Sequence, residues 1–379
     1  MEQLELLKLP LRPLNLVFEI MQVHEVFLLS TCSKQSKESI KKSNLKSKFS
    51  GVQYVSEPYF TGFISLMASA NGKFRTSVEW KIVEPKAERK CSTIKFDDFE
   101  VKYRLKNHHK PDKLPILCIE DNKEYSEQIP LKLLNYTTDL FQTFEMQEIR
   151  LKRTNLSDCP TTVTRVQNAW IDTYCQYANP LVFEKFFEKV HVENCFVSEQ
   201  TIRGPMAEDT PLLRVPNVYL ENASWIQLSH LLNFQGKHAL FETAKLIKQS
   251  DLNQFVKSWI EGNVLQNLES MIISLEGNMR YHDILMDVEK LMWDQKRHAY
   301  SFVYKAAFRW FFEKDFDFLD CHHAYDIIRS TDGMPASMRI VSEVKSGLPT
   351  RYYFIFLIWH ERFPAEVPHQ NDDPGYKFL

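Results

Sequence analysis

The sequence predicts a mixed α+β or α/β chain. A small helical block spans residues 4–48, and a larger domain over 50–370 is built of irregular strand–helix units with additional β-hairpins. Three observations predict it. Apolar residues near the N-terminus recur at spacings of three and four, the period of a helix face. From residue 52 to 118 the period falls to two, that of half-buried strands. Farther on, one short strand-like pattern returns several times with helical segments between its copies.

The helical block starts with Leu6, Leu7 and Leu9, ahead of Pro10 and Pro13. Leu14, Val17 and Ile20 then recur along a helix that Pro13 can open, because proline is pre-set for a first helical turn. A break over residues 22–25 leads to a second apolar stretch of Val26, Phe27, Leu28, Leu29 and Cys32. Lys34, Lys37, Lys41, Lys42, Lys46 and Lys48 follow and read as a solvated helix face. So small a block buries little surface alone. Its apolar residues are covered either by the rest of the chain or by another protein.

Two alternating runs, 74–83 and 94–103, read as strands, with a polar loop over 106–113. Residues 136–146 read as a short amphipathic helix. The repeat follows. Stretches starting at Ile149, Val190, Val218 and Ala239 share a short apolar alternation, a polar residue and a turn former, and a fifth starts at Met271. Helical segments are expected at 162–177, 225–232 and 249–259. This resembles leucine-rich-repeat stacking, in which neighbouring units bury a shared core. Its uneven spacing fits an ordinary α/β layer equally well.

The C-terminal part opens on a mixed stretch, 280–312. Residues 324–341 read as a hairpin around Asp332 and Gly333, since glycine accepts positive φ. Residues 352–359 make a third strand, and the last ten residues read as a tail.

Composition narrows the function classes. With 47 basic and 49 acidic residues the net charge is −2, so nucleic acid is not an expected partner. Only 10 glycines are present, and no phosphate-loop motif is among them. The seven cysteines are odd in number and widely spaced, without a C-x-x-C. They read as reduced thiols of an intracellular protein and not as a zinc module or disulfide framework. Lys8, Arg12, Pro10 and Pro13 break any secretory pattern, and no run reaches eighteen apolar residues. The expected location is the cytoplasm, the nucleus or both, with no membrane partner.

The N-terminal block resembles an F-box. The likeness lies in Leu9-Pro10, in Leu14, Val17 and Ile20, and above all in Val26-Phe-Leu-Leu-Ser-Thr-Cys-Ser-Lys34. The ending Leu-Leu-Ser-x-Cys-Ser-Lys is close to the form of a large nematode-expanded family. Val23-His24-Glu25 departs from that family's Asp-Pro or Asn-Pro. The remainder looks like the F-box-associated domain of the same family. The matching pieces are residues 250–262 with Trp259 and Gly262, then 265–273, then Tyr325-Asp-Ile-Ile-Arg329 with Asp332-Gly333.

The resemblance implies a substrate-recognition subunit of a Skp–cullin–F-box ubiquitin ligase. It implies that Leu9, Pro10, Leu14, Val17, Ile20, Phe27, Leu28, Leu29 and Cys32 meet the Skp adaptor and, through it, a cullin. Leu28 and Leu29 are the expected energetic centre. A protein target is then held by the second domain. If that domain is a repeat array, the polar positions beside its strands are the candidates: Arg150, Lys152, His191, Glu193, Tyr219 and Glu221. The alternative is a stand-alone repeat-type interaction scaffold whose N-terminal helices cap the core.

No catalytic residue, cofactor or metal site is expected. Cys321-His322-His323 and His108-His109 lack ligand partners at zinc spacing. Asp97-Asp98 and Asp372-Asp373 read as loop charges, and neither Gly-x-Ser-x-Gly nor His-Glu-x-x-His occurs.

Overall fold

A computed structural model describes residues 6–43, 45, 51–57, 60–70, 73–83, 91–96, 99–106, 116–120, 128–142, 146–152, 163–172, 177–262, 264–276, 279–303, 318–343 and 350–363. By contact the chain divides into two compact units, Met1–Tyr174 and Cys175–Leu379. The helical block, expected to end at residue 48, lies in the first of these units together with the strands that follow it.

In the first unit α1 (Leu11–Ile20), α2 (Val23–Cys32) and α3 (Lys34–Lys41) succeed one another. The break between α1 and α2 ends at Gln22, earlier than expected, because Glu25 caps the new helix: the Gln22 N–H donates to Glu25 Oε2 at 2.9 Å. Ser33 separates α2 from α3 and accepts from the Ser36 N–H at 3.0 Å. The strands are β1 (Gly51–Glu57), β2 (Phe60–Ala70), β3 (Lys73–Val83), β4 (Ser92–Phe96), β5 (Phe99–Lys106) and β6 (Ile116–Glu120). After α4 (Gln128–Phe141) come β7 (Met146–Lys152) and β8 (Arg165–Asp172). They form a mixed sheet in the order β8-β7-β1-β2-β3-β6-β5-β4.

Three expectations need correction. The single strand read over 94–103 is an antiparallel hairpin, β4 with β5, in which Phe96 pairs with Phe99. The helix read over 136–146 is α4, which starts eight residues earlier. It stops at Phe141 because Gln142 turns left-handed at φ 51°. The helix read over 162–177 is the strand β8, paired in parallel with β7. Val163, Val166 and Trp170 mimic helical spacing. Pairing with β7, helped by β-branched residues, decides the outcome.

The second unit carries α5 (Pro180–Lys189), β9 (His191–Ser198), β10 (Asn217–Leu220), α6 (Leu228–Leu232), β11 (His238–Phe241), α7 (Gln249–Glu261) and β12 (Ser270–Glu276). Then come α8 (Tyr281–Ile284), β13 (Leu291–Met292), β14 (Ser301–Val303), β15 (Phe318–Asp320), β16 (Tyr325–Ile328), β17 (Pro335–Glu343) and β18 (Arg351–Ile358). Of the five copies of the repeated pattern, the first, at Ile149, falls in β7 of the first unit, and the other four become β9 to β12, neighbouring strands that all run parallel. β12 then pairs antiparallel with β18, and β17, β16 and β13 extend that edge. β14 and β15 form their own hairpin.

One face of this sheet is closed by helices. Phe187 of α5 meets Phe196 at 4.9 Å between ring centres. Phe255 and Trp259 of α7 both meet Phe356 at 5.3 Å. A buried phenylalanine side chain contributes about 1.5–3 kcal/mol, so this aromatic layer is a main source of the unit's stability.

Candidate functional site

The nine residues expected to meet an adaptor do not lie on one face. Leu14 and Phe27 are buried, together with Phe18 and Val26. Leu9, Val17, Leu28 and Leu29 are half-buried, while Pro10 and Cys32 are exposed. Ile20 is 83% exposed. The reason is helical geometry. Each three-residue step falls about 60° short of a full turn, so Ile20 lies about 120° round the helix from Leu14. The solvent-facing stripe of α1 is Leu16, 63% exposed, with Ile20 one turn on; Leu11, 54% exposed, lies on the other side of the helix, at its start. Leu16 was missed. The signal that could have found it is the Leu16/Ile20 spacing of four.

Inward, α2 is anchored to its own unit. The Phe27 ring meets Trp80 of β3 at 5.1 Å and Tyr136 of α4 at 5.7 Å. Ser30 Oγ shares a 2.9 Å hydrogen bond with the Tyr136 hydroxyl. Lys37 and Lys41 of α3 reach Asp139 of α4 at 3.1 and 2.7 Å. Burial pushes the Asp139 carboxyl up, but hydrogen bonds from both lysines outweigh it and hold the group below the usual carboxylate value.

The six residues expected to hold a target divide between the units. Arg150 lies in β7, bonded to Glu148 and stacked over the Trp170 ring at 4.4 Å. The side chain of Lys152 lies outside the described residues. In the second unit His191, Glu193 and Tyr219 share a sheet face, because β9 and β10 run in register with Val197 beside Tyr219 and side chains alternate along each strand. His191 and Glu221 are exposed, and Glu193 and Tyr219 are half-buried. The Tyr219 hydroxyl donates to Glu242 at 3.4 Å, and Arg351 reaches the other oxygen of Glu242 at 3.4 Å. Burial, then the carboxylates of Glu242 and Glu221, push the Tyr219 phenol strongly up.

The same face turns apolar toward β18. Leu240, Ile272, Ile355 and Leu357 stand side by side and are buried under Phe302, Cys321 and Ala324, with Trp293 and Ala299 beside them. A polar cluster lies at the margin of this layer. Arg297 donates twice to Asp326 Oδ2, at 3.2 and 3.0 Å. His298 Nε2 lies 3.0 Å from Asp326 Oδ1. The Ser337 hydroxyl donates to the same Oδ1 at 2.8 Å and accepts from Trp359 Nε1 at 2.8 Å. The His298 ring stacks on Trp359 at 4.1 Å.

Sequence reasoning missed this cluster. Its members come from residues 297 to 359, and only Asp326 fell within a motif already singled out. Serine, histidine and aspartate together suggest a nucleophile, but the geometry does not. Ser337 Oγ lies 3.3 Å from His298 Nε2, but its hydroxyl donates to the nearer carboxylate at 2.8 Å, and that imidazole nitrogen is itself engaged by Asp326. All three residues are buried, which leaves no path to a substrate. The Cys321 thiol is equally sealed. Burial, then the charges of Asp320 and Asp326, push it up to about 12, away from thiolate chemistry. His322 is held by Asp320 at 3.0 Å and stacks on Tyr300. Among the described residues no group of three or more His, Cys, Asp or Glu side chains is placed to hold a metal, and no helix is long and apolar enough to cross a membrane. His108, His109, Asp97, Asp98, Asp372 and Asp373 lie outside the described residues, as does the expected tail.

Two motif pieces that were far apart in the chain meet in space. The Arg329 guanidinium lies over Trp259 at 5.4 Å and is bonded to Asp332. Gly262 ends α7 at φ +79°, and a Cβ there would sit 2.2 Å from Thr331 Oγ1. The tryptophan–glycine stretch and the aspartate–glycine hairpin therefore form one packed corner.

A family model described as F-box associated matches residues 213–273, from just before β10 into β12. No curated protein and no solved structure matches the chain.

Proposed function

We propose that this chain is the substrate-recognition subunit of a Skp–cullin–F-box ubiquitin ligase. The N-terminal helices bind the Skp adaptor and, through it, a cullin. The second unit, read as an irregular leucine-rich-repeat-like stack, captures a protein target on its strand-lined face. The chain performs no chemistry itself, needs no cofactor, binds no nucleic acid, and works in the cytoplasm, the nucleus or both. The observation that carries this reading is the exposed pair of Leu16 and Ile20 on one face of α1, ahead of a segment similar to F-box-associated domains. Two large aliphatic side chains one turn apart on the solvent face of a short helix favour a protein that covers them.

A second reading is favoured by the burial of Leu14, Phe18 and Phe27 within the chain's own first unit. Under it the helices cap a stand-alone interaction scaffold and no ligase is involved.

Titration of purified Skp adaptor against the full chain, and against Leu16→Asp/Ile20→Asp, separates the two. The ligase reading expects tight binding by the first and a loss of about a hundredfold or more in the second, since central interface side chains dominate such contacts. Both changed residues face solvent, so the fold persists. Failure of the intact chain to bind would leave the scaffold.

A further inference from the structure

We propose that α4 positions the partner-binding helices, with Tyr136 as its central positioning residue. Through it the surface of Leu16 and Ile20 belongs energetically to the whole first unit. Binding there then stabilises α4 as much as α2, and the helical block is not a module that opens and binds by itself. This inference rests on reading α1 as the adaptor's contact.

α4 touches α3 and also the strands β1 and β2. Tyr136, Asp139 and Gln142 recur at spacings of three, along one side of the helix and onto its end. Each holds a different part of the helical block. The Tyr136 hydroxyl shares its hydrogen bond with Ser30 of α2, and its ring meets Phe27 of α2 and, at 5.5 Å, Phe96 of β4. Lys37 of α3 lies over the same ring, 4.3 Å from its centre. Asp139 binds Lys37 and Lys41. Gln142 Nε2 donates to the Lys41 carbonyl at 3.1 Å, one of the carbonyls that the end of α3 leaves without a helical partner.

One tyrosine thus joins α2, α3 and the sheet. Phe27, Trp80, Phe96 and Tyr136 are all buried. Lifting α2 alone would uncover Phe27, Trp80 and Tyr136 together and break the Ser30 bond. Elements that share large buried rings open as one cooperative unit. α1 follows α2 because the break between them is short and closed by Glu25, and because its own Leu14 and Phe18 are buried. A partner on Leu16 and Ile20 therefore meets a surface already held in place, and a preorganised surface binds at a lower ordering cost.

Native-state hydrogen exchange on the full chain tests this, without and with purified Skp adaptor. With adaptor at about a hundred times its dissociation constant, every amide that opens only when the site is lost should slow by about a hundredfold. The expected result is the same factor, within about threefold, for amides of α2 and of α4. Before adaptor is added, both sets should open equally often, again within about threefold. Slowing in α1 and α2 with α4 unchanged would overturn the proposal. Tyr136→Ala, at the same multiple of its own dissociation constant, should keep the response of α2 and cut that of α4 by at least about tenfold. Tyr136→Phe, which keeps the ring, should restore it. A merely structural role for Tyr136 would lower protection in both helices and leave their two factors equal. If Tyr136→Ala fails to fold, the unsubstituted chain decides by the same two factors. If the adaptor does not bind, the ligase reading falls and the adaptor-free rates judge the positioning role alone. Amides of α2 that open at least about tenfold more often than those of α4 would then sink it.

Discussion

Two helices of similar length treat their apolar residues in opposite ways. In α7 the buried residues are Leu252, Phe255, Val256 and Trp259, at spacings of three and four, while Ser250, Gln254 and Glu261 face water. One stripe is enough to fix that helix to its sheet. In α1 Leu14 and Phe18 face inward, and Leu16 and Ile20 face out. The outward set does nothing for the fold of its unit. A one-sided helix is explained by its own core. A helix that is apolar on both sides needs a second reason, and the partner proposed above would supply it.

The sharpest way to break this comparison is to truncate two residues of α1 only two positions apart. Phe18→Ala removes a fully buried ring and is expected to lower the unfolding free energy by about 3–5 kcal/mol. Ile20→Ala, at a surface site, should stay within about 0.5 kcal/mol. Denaturant titration of both variants checks this. Equal losses would mean that Ile20 is covered within the isolated chain, and the partner argument would fail.

The same contrast shows how far the sequence could be read. The parallel strands β9 to β12 were legible, because each is a short apolar alternation closed by a polar residue and a turn former. The hairpin of β16 and β17 was legible from Asp332-Gly333, whose glycine lies at φ +71°. The faces of α1 were not, because Leu14, Val17 and Ile20 satisfy a spacing rule while spiralling a third of the way round the helix. β8 was misread because its apolar residues mimic a helix and only pairing with β7 decides. The Arg297–His298–Asp326–Ser337 cluster was invisible for a different reason. Its members have no spacing rule, and they are joined only by how residues 291–303 lie on the sheet.

A smaller effect tests the corner that joins α7 to the hairpin. Gly262 and Gly333 both have positive φ, but only Gly262 is crowded, by Thr331. Gly262→Ala is therefore expected to cost about 2–3 kcal/mol, from backbone strain and steric clash together. Gly333→Ala, with nothing near its Cβ, should cost about 1 kcal/mol from strain alone. Thermal unfolding of the two variants, with Thr331→Ser as a partial rescue of Gly262→Ala, measures the difference. Equal costs would show that the corner yields freely, and that the two motif pieces are neighbours without being coupled.

The smallest expected effect lies in the first unit, where Lys37 and Lys41 meet Asp139. The carboxyl is held below its usual value in the folded chain, so the contact contributes above the unfolded value of about 3.9 and is lost as pH falls through the lower, folded one. The Asp139 side chain is 46% exposed, so solvent and salt screen the pair, and its contribution should be at most about 1 kcal/mol. Asp139→Asn should therefore be slightly less stable than the unsubstituted chain at pH 7, and the gap should close in acid and narrow in high salt. A gap that persists at pH 2 would place its origin in packing and not in charge. The lysine side of α3 would then be part of the core that anchors α2, leaving the outward side of α1 as the part of the helical block with no task inside its own unit.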